Sequence, residues 1–451
     1  MAASPFLIGC ATGFSGDRTD GAHAVVQSLA ARGGGTLTFE TLAERTLALA
    51  QLARNADPDG GYEPLLEELL APVLGDCLRH GIRIVGNFGA ANPPAAARCI
   101  ANLARSQGLP APRIAVVHGD ALTTPEQRAL LRERLGPSLD EMDVVSANVY
   151  LGASEIADAL RADAQIVVAG RVADPSLTVG PALAHYGWAP DDWTRLGRAT
   201  MAGHMLECGT QVTGGYFCVP GLKEVPDVHV AGYPIAEIDA DGGFVIGKAD
   251  HTGGAVDART VKEQLLYEVH DPSRYLTPDV VADLSQASVQ VLGSDRVAVH
   301  GIAGHPRPDE LKVNVCYRGG WLAEAEISYA GVQAEARARL AADIVQRRLG
   351  SSLRVRTDLI GVLSILGDDS GAMLGARPAG AGRDVRLRLA AEHPEARVAE
   401  RLLREVTALY TCGPAGGGGV RTALRSRLNM VSCTIPRDAV LSGWTMMEPT
   451  A

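Results

Sequence analysis

Three times in its first half the chain repeats one pattern: a short apolar run empties into a polar, glycine-bearing turn, and a helical stretch follows. The runs are residues 6–8, 82–85 and 165–169. Each is too short for a helix and too apolar for an exposed strand, so each predicts a strand buried on both faces, as in a parallel sheet. Further strand and helix patterns fall between them, at 35–40, 42–53, 62–80 (opened by Pro64), 113–118, 124–135 and 143–150. Such sustained alternation predicts an α/β fold, a Rossmann-like mostly parallel sheet with helices on both faces. The polar turns then lie at the carboxyl ends of the strands, where open α/β sheets bind ligands.

The first turn carries Ser15, Asp17 and Arg18 among Gly9, Gly13 and Gly16. The second carries Asn87 and Asn92, the third Arg171 and Asp174. Glycine permits positive φ and leaves room for a ligand against the backbone. Either the three turns share one site, or they are ordinary connections, with Arg18 paired to Asp17 or Asp20 and Asp174 capping the following helix.

A polar helix over 191–206 leads into Glu207, Cys208, Gly209, Thr210 and Gln211. From residue 225 the pattern changes to hairpins: 235–239 and 244–248 flank Ala240-Asp241-Gly242-Gly243, a strong turn signal. Strands at 288–292, 296–300, 311–317 and 321–329, then helices at 332–349 and 394–410 around strands near 353–357 and 385–389, complete the pattern. A glycine-rich loop, 413–420, precedes Arg421. The expected organisation is an α/β domain over 1–220 followed by an α+β domain over 221–451 that completes the site.

Charge and cysteine usage narrow the function classes. With 42 Lys and Arg against 52 Asp and Glu, and no basic run, neither nucleic acid nor an anionic membrane is an expected partner. The 8 cysteines are scattered without C-x-x-C spacing and read as reduced thiols of a cytoplasmic protein. No stretch reaches membrane-spanning length, and no basic region precedes a long apolar run at the N-terminus, so neither anchor nor secretion signal is expected.

Several familiar chemistries fit poorly. Gly9, Gly13 and Gly16 follow a first strand and Glu40 ends the second, but the spacing is not the G-x-G-x-x-G of dinucleotide sites. Gly13-Phe14-Ser15-Gly16-Asp17 misses the nucleophile elbow by its last glycine, so Ser15 reads as a hydrogen-bonding residue before it reads as a nucleophile. His204 stands three residues before Glu207 and four before Cys208, one face of a helix if the helix persists. That spacing suits an acid paired with a base, a divalent metal, or a histidine hydrogen-bonded for structure. No cofactor is predicted; a metal at His204, Glu207 and Cys208 is the one candidate. The 413–420 loop with Arg421 suits an anion or a plain connector.

Six segments carry a resemblance: IGCATGFSGDR (8–18), NFGAANP (87–93), VAGRVADP (168–175), AGHMLECGTQVTGG (202–215), TVKEQLLYEVHDP (260–272) and YTCGPAGGGGVR (410–421). In order and spacing, from about residue 5 to 440, they resemble the acyclic terpene utilisation AtuA family. The resemblance implies a setting of isoprenoid breakdown through branched acyl-CoA thioesters, and so a substrate class more than a reaction. Many members carry a small ferredoxin-like domain after the glycine-rich loop; with Ala451 the last residue, that extension is expected to be absent.

Taken with the polar turns, the resemblance implies a lyase- or hydratase-type enzyme acting on a branched or hydroxylated acyl substrate by acid/base addition–elimination. Asp17 or Glu207 would be the base and His204 the acid. Arg18 and Arg171 would clamp a carboxylate or phosphate, and Asn87 with the glycine amides would stabilise an enolate. Ser15, Asn92, Asp174, Gln211 and Arg421 would be further substrate contacts. A metal- or serine-dependent hydrolase or amide/ester-forming enzyme is the alternative, and a non-catalytic acyl-binding subunit a third. A homo-oligomer is expected.

Overall fold

A computed structural model describes residues 4–448 and shows two compact units, residues up to 316 with 430 onward, and residues 317–429. The first unit opens with β1 (Phe6–Cys10), α1 (Gly21–Ala31), β2 (Thr36–Phe39), α2 (Glu44–Ala56), α3 (Leu66–Leu70), α4 (Leu74–His80), β3 (Arg83–Gly86), α5 (Pro93–Ser106) and β4 (Ile114–His118). It continues with α6 (Pro125–Leu135), β5 (Val144–Val149), α7 (Ser154–Arg161), β6 (Ile166–Val168), α8 (Ser176–Tyr186), α9 (Trp193–Glu207), β7 (Pro234–Ile238) and β8 (Phe244–Lys248).

Burial explains why the apolar runs are strands. Leu7 of β1 packs with Val25, Val26 and Leu29 of α1, whereas Ile8 and Cys10 pack with Val179 of α8 and Met205 of α9. Successive side chains point to opposite faces, so a strand with helices on both sides must be apolar throughout. β3 and β6 behave alike: Ile84, Ile166 and Val168 join one cluster, Val85 and Val167 another.

The large sheet has ten strands in the order Ser288–Gly293, Arg296–His300, β8, β7, β1, β2, β3, β6, β4 and Gly443–Met446. Its core β1–β2–β3–β6–β4 is parallel, and the strands on either side are antiparallel. The sheet is therefore mixed, and strands from both sides of residue 220 hydrogen-bond within it. Among the described residues, no helix is long and apolar enough to cross a membrane.

Three local expectations change. The helix expected over 62–80 is two short ones, because Pro72 lacks an N–H and clashes with the preceding turn. β5 does not join the large sheet; it pairs with the long strand Glu310–Ala330, and the Tyr150 N–H beside it donates to the Lys312 carbonyl at 2.9 Å. That long strand replaces the two expected at 311–317 and 321–329: the chain runs through Gly319 and Gly320 without turning, Gly320 at φ +87°.

Apart from the one-turn helix Ala372–Ala376, the second unit runs strand, helix, strand, strand, helix, strand. Its sheet order is Val355–Ile360, Asp384–His393, Glu310–Ala330, Gly418–Pro436. This is the split βαβ, ferredoxin-like order, present inside the chain, whereas the expectation concerned a segment beyond its end. Ala338, Ala341 and Val345 of one helix and Leu402, Val406 and Leu409 of the other recur at helical spacing and cover one sheet face with Ile327, Leu387 and Leu389.

Candidate functional site

The segments that follow β1, β2 and β6 border a cavity of about 880 Å³ in the first unit, a size that suits a small-molecule ligand. Its most buried cation is Arg171, only 1% exposed, in the turn after β6. The guanidinium donates to the carbonyls of Val172 (Nε, 2.8 Å) and Leu42 (Nη1, 2.9 Å), pairs with Asp174, and lies 4.6 Å from the centre of the Tyr150 ring. The Arg171 backbone N–H donates to Oδ2 of Asp120 at 3.0 Å, an oxygen that also accepts from Asn148 Nδ2 at 3.0 Å. Burial works against this charge, but Asp174, Tyr150, Glu40 and Glu44 outweigh it and hold the guanidinium protonated.

Around Arg171 the carboxyl groups differ in state. Glu40, at the end of β2, accepts from the Leu42 N–H at 2.8 Å and from Asn87 Nδ2 at 2.5 Å. Its burial, and then the charge of Asp174, push it well above the usual carboxylate range. Glu44, in the first turn of α2, accepts from the Tyr150 hydroxyl (2.6 Å), Asn314 Nδ2 (3.0 Å) and Lys312 Nζ (3.4 Å). Burial pushes Glu44 up too, yet the Tyr150 bond, Lys312 and Arg171 bring it down to about 2. Asp174 is raised to about 6, because burial together with Glu207 outweighs Arg171.

At the end of α9, Glu207 borders the same cavity, and the i, i+3 spacing does put His204 on its face. His204 Nε2 lies 2.9 Å from the Gln264 carbonyl, which only accepts, so Nε2 carries a proton. Nδ1 stands 2.9 Å from Glu207 Oε1, with the Tyr275 hydroxyl at 3.4 Å. Glu207 Oε2 is buried and has no hydrogen-bond partner among the described residues. A buried polar atom without a partner is uncommon enough to need a reason, and a group that meets substrate supplies one.

Of the residues singled out in the sequence, Asp17, Arg171, Asp174, Glu207, Cys208 and Gln211 line the cavity. Ser15, Arg18, Asn87, Asn92, His204 and Arg421 are not among its lining residues. Arg18 pairs with Asp20 at 2.9 Å and donates to the His229 and Ala231 carbonyls. Asn92 donates to the carbonyls of Pro58 (2.8 Å) and Gly60 (2.7 Å), holding a loop. Asn87 is fully buried between Glu40 and Thr41, and Arg421 is exposed on the strand Gly418–Pro436. Asp174 does not cap α8; Pro175 occupies that position, and the carboxylate turns to Arg171.

Asp17 organises its own loop. It accepts from the N–H groups of Gly13 (2.8 Å) and Arg18 (2.7 Å) and from the Tyr233 hydroxyl (2.6 Å). Both ring nitrogens of His204 are engaged by protein, and burial beside Glu207 pushes the Cys208 thiol up. Among the described residues, no three His, Cys, Asp or Glu side chains are grouped to hold a metal ion.

Sequence reasoning passed over Glu44, Tyr150, Tyr275 and Lys312 and used Glu40 only as a strand end. None lies in a glycine turn, and they come from scattered chain positions. One signal was available: Glu40 and Glu44 follow β2 on the edge where the other turns lie.

Fold and cavity together define a mixed α/β protein with an acid-lined cavity. The family model for the acyclic terpene utilisation family protein AtuA matches residues 6–446, and the chain belongs to that family. Neither the curated proteins nor the solved structures compared with it include a match.

Proposed function

We propose that the chain is an enzyme that adds water to, or eliminates it from, a branched or hydroxylated acyl substrate, a CoA thioester in the setting the family description names, by acid/base chemistry. The observation that carries this reading is that one cavity holds Glu44, kept ionised, and Asp174, raised toward neutral pH, around the same arginine. A carboxyl group raised toward neutral pH can both take and give a proton, while an ionised neighbour holds the arginine in place. In this reading the parallel strands act as a Rossmann-like scaffold with the ligand at their carboxyl ends.

Asp174 is the proton-transferring group, and Glu207, with its unpartnered oxygen, meets the substrate beside it. Glu44 is a fixed anion that helps hold Arg171. His204 sits behind Glu207 and orients it, so the acid role moves from the histidine to the carboxyls. Asp17, with both oxygens bonded to its loop and Tyr233, supports the cavity wall.

The test is to incubate the purified protein with branched 3-hydroxyacyl- and 2-enoyl-CoA thioesters in D₂O and follow deuterium at C2 by mass spectrometry. Exchange or water addition with at least one thioester is expected, and Asp174→Asn and Glu207→Gln should abolish it. No exchange with any thioester would sink the reading. Release of free CoA without deuterium uptake would favour the hydrolase alternative, and binding without either reaction a delivery subunit.

A further inference from the structure

Phe14, Tyr216 and Leu276 border the cavity and are nevertheless 56%, 86% and 58% exposed. Single exposed apolar side chains are ordinary. These three come from separate segments and border one cavity, and two features show that the placement of Phe14 and Tyr216 is built.

The first is a backbone contact. A Cβ on Gly13 would stand 2.6 Å from the Cys208 carbonyl carbon and 2.8 Å from the Gly209 nitrogen, and one on Gly209 would stand 3.0 Å from the Gly13 nitrogen. The loop carrying Phe14 and the segment leading to Tyr216 therefore touch main chain to main chain, which only glycine allows.

The second feature is strain. Tyr216 has φ +56°, in the left-handed region that a bulky side chain avoids. Its conformation is fixed by neighbouring bonds, Gly215 N–H to the Thr210 carbonyl at 2.8 Å and Cys218 N–H to the Gly214 carbonyl at 3.2 Å. The chain thus holds a large aromatic group in a disfavoured conformation and in water. An observed outlier of this kind, beside a cavity, points to function.

We propose that Phe14, Tyr216 and Leu276 form an apolar rim that grips the hydrocarbon part of the ligand while its polar end reaches the carboxyl groups inside. The inference rests on the cavity being the substrate site, as proposed above, and does not depend on the reaction performed there. The rim sets chain-length preference: each methylene laid across it leaves water, and affinity rises with the length of the chain.

The probes are butan-1-ol and octan-1-ol, titrated into the full chain and followed by ligand-observed NMR. Octanol is expected to bind at least about tenfold more tightly than butanol. In the Phe14→Ser/Tyr216→Gly/Leu276→Ser variant the two alcohols should bind alike. Tyr216→Gly alone should weaken octanol without lowering Tm, because glycine relieves the strain; a merely structural tyrosine would not separate these readouts. Equal binding of the two alcohols to the wild type, failure of octanol to bind, or an unchanged preference in the triple variant would overturn the rim. Lack of deuterium exchange with the preference intact would unseat the acid/base reading and leave the rim supported.

Discussion

The acidic residues of the two units meet opposite fates. On the sheet of the second unit acids sit opposite arginines: Arg388 pairs with Glu324 and with Asp358 (2.6 Å), Arg386 with Glu326 (3.0 Å), and Arg356 with Asp358 (3.1 Å). Around the cavity of the first unit, seven carboxyl groups face only three cations. Where partners are supplied, charge is settled by pairing. Where they are withheld, it is settled by protonation, as the raised Glu40 and Asp174 show. Pairing fixes a shape, whereas a shortage of partners leaves protons available for chemistry.

Removing one arginine from each region should separate them most. Arg171→Met leaves Asp174 and Glu40 without their buried counter-charge and should cost about 3–5 kcal/mol in urea unfolding. Arg388→Met should cost about 1 kcal/mol, since its side chain is 30% exposed and Arg356 still answers Asp358. Equal losses would erase the distinction.

Next in size, Asp174→Asn should lower deuterium exchange by about a hundredfold or more. The wild-type rate should climb as pH rises through about 6, where Asp174 loses its proton, and the variant should lack that limb. A flat wild-type profile would remove Asp174 from proton transfer.

Glu44, shifted the other way, gives a smaller effect, on stability. Its folded-state value is depressed to about 2 from 4.5, so its ionised form stabilises the fold above 4.5, and that contribution is lost as pH falls from 4.5 to 2. Urea midpoints should therefore drop less across this window in Glu44→Gln than in the wild type. Smallest of all, Arg386→Ala should shift stability by less than about 1 kcal/mol, as for other partly exposed pairs, and by less still at high salt.

Much of the parallel core was legible because strands covered on both faces leave a mark, the short uninterrupted apolar run, and because glycine turns punctuate them. The hairpin of β7 and β8 was equally plain from Asp241-Gly242-Gly243. Legibility failed where a local signal met a longer-range demand. Gly319-Gly320 reads as a turn, yet pairing of residues 321–330 with Asp384–His393 carries the strand straight on. In the site, Asp174 and Arg171 were visible as neighbours in one turn, but the burial of Arg171 was not, since it depends on Tyr150 and Leu42, distant in sequence. His204 and Glu207 show the limit of spacing: it puts two side chains on one face without saying which of them meets the cavity.

The contact between Gly13 and Gly209 also bears on how relatives of this chain are recombined. Any chimaera whose crossover falls between those two positions joins a first loop from one parent to a second loop from another, and a side chain at either place would force the pair apart. Libraries aimed at new substrates are best drawn with both glycines taken from a single parent and diversity confined to Phe14, Tyr216 and Leu276.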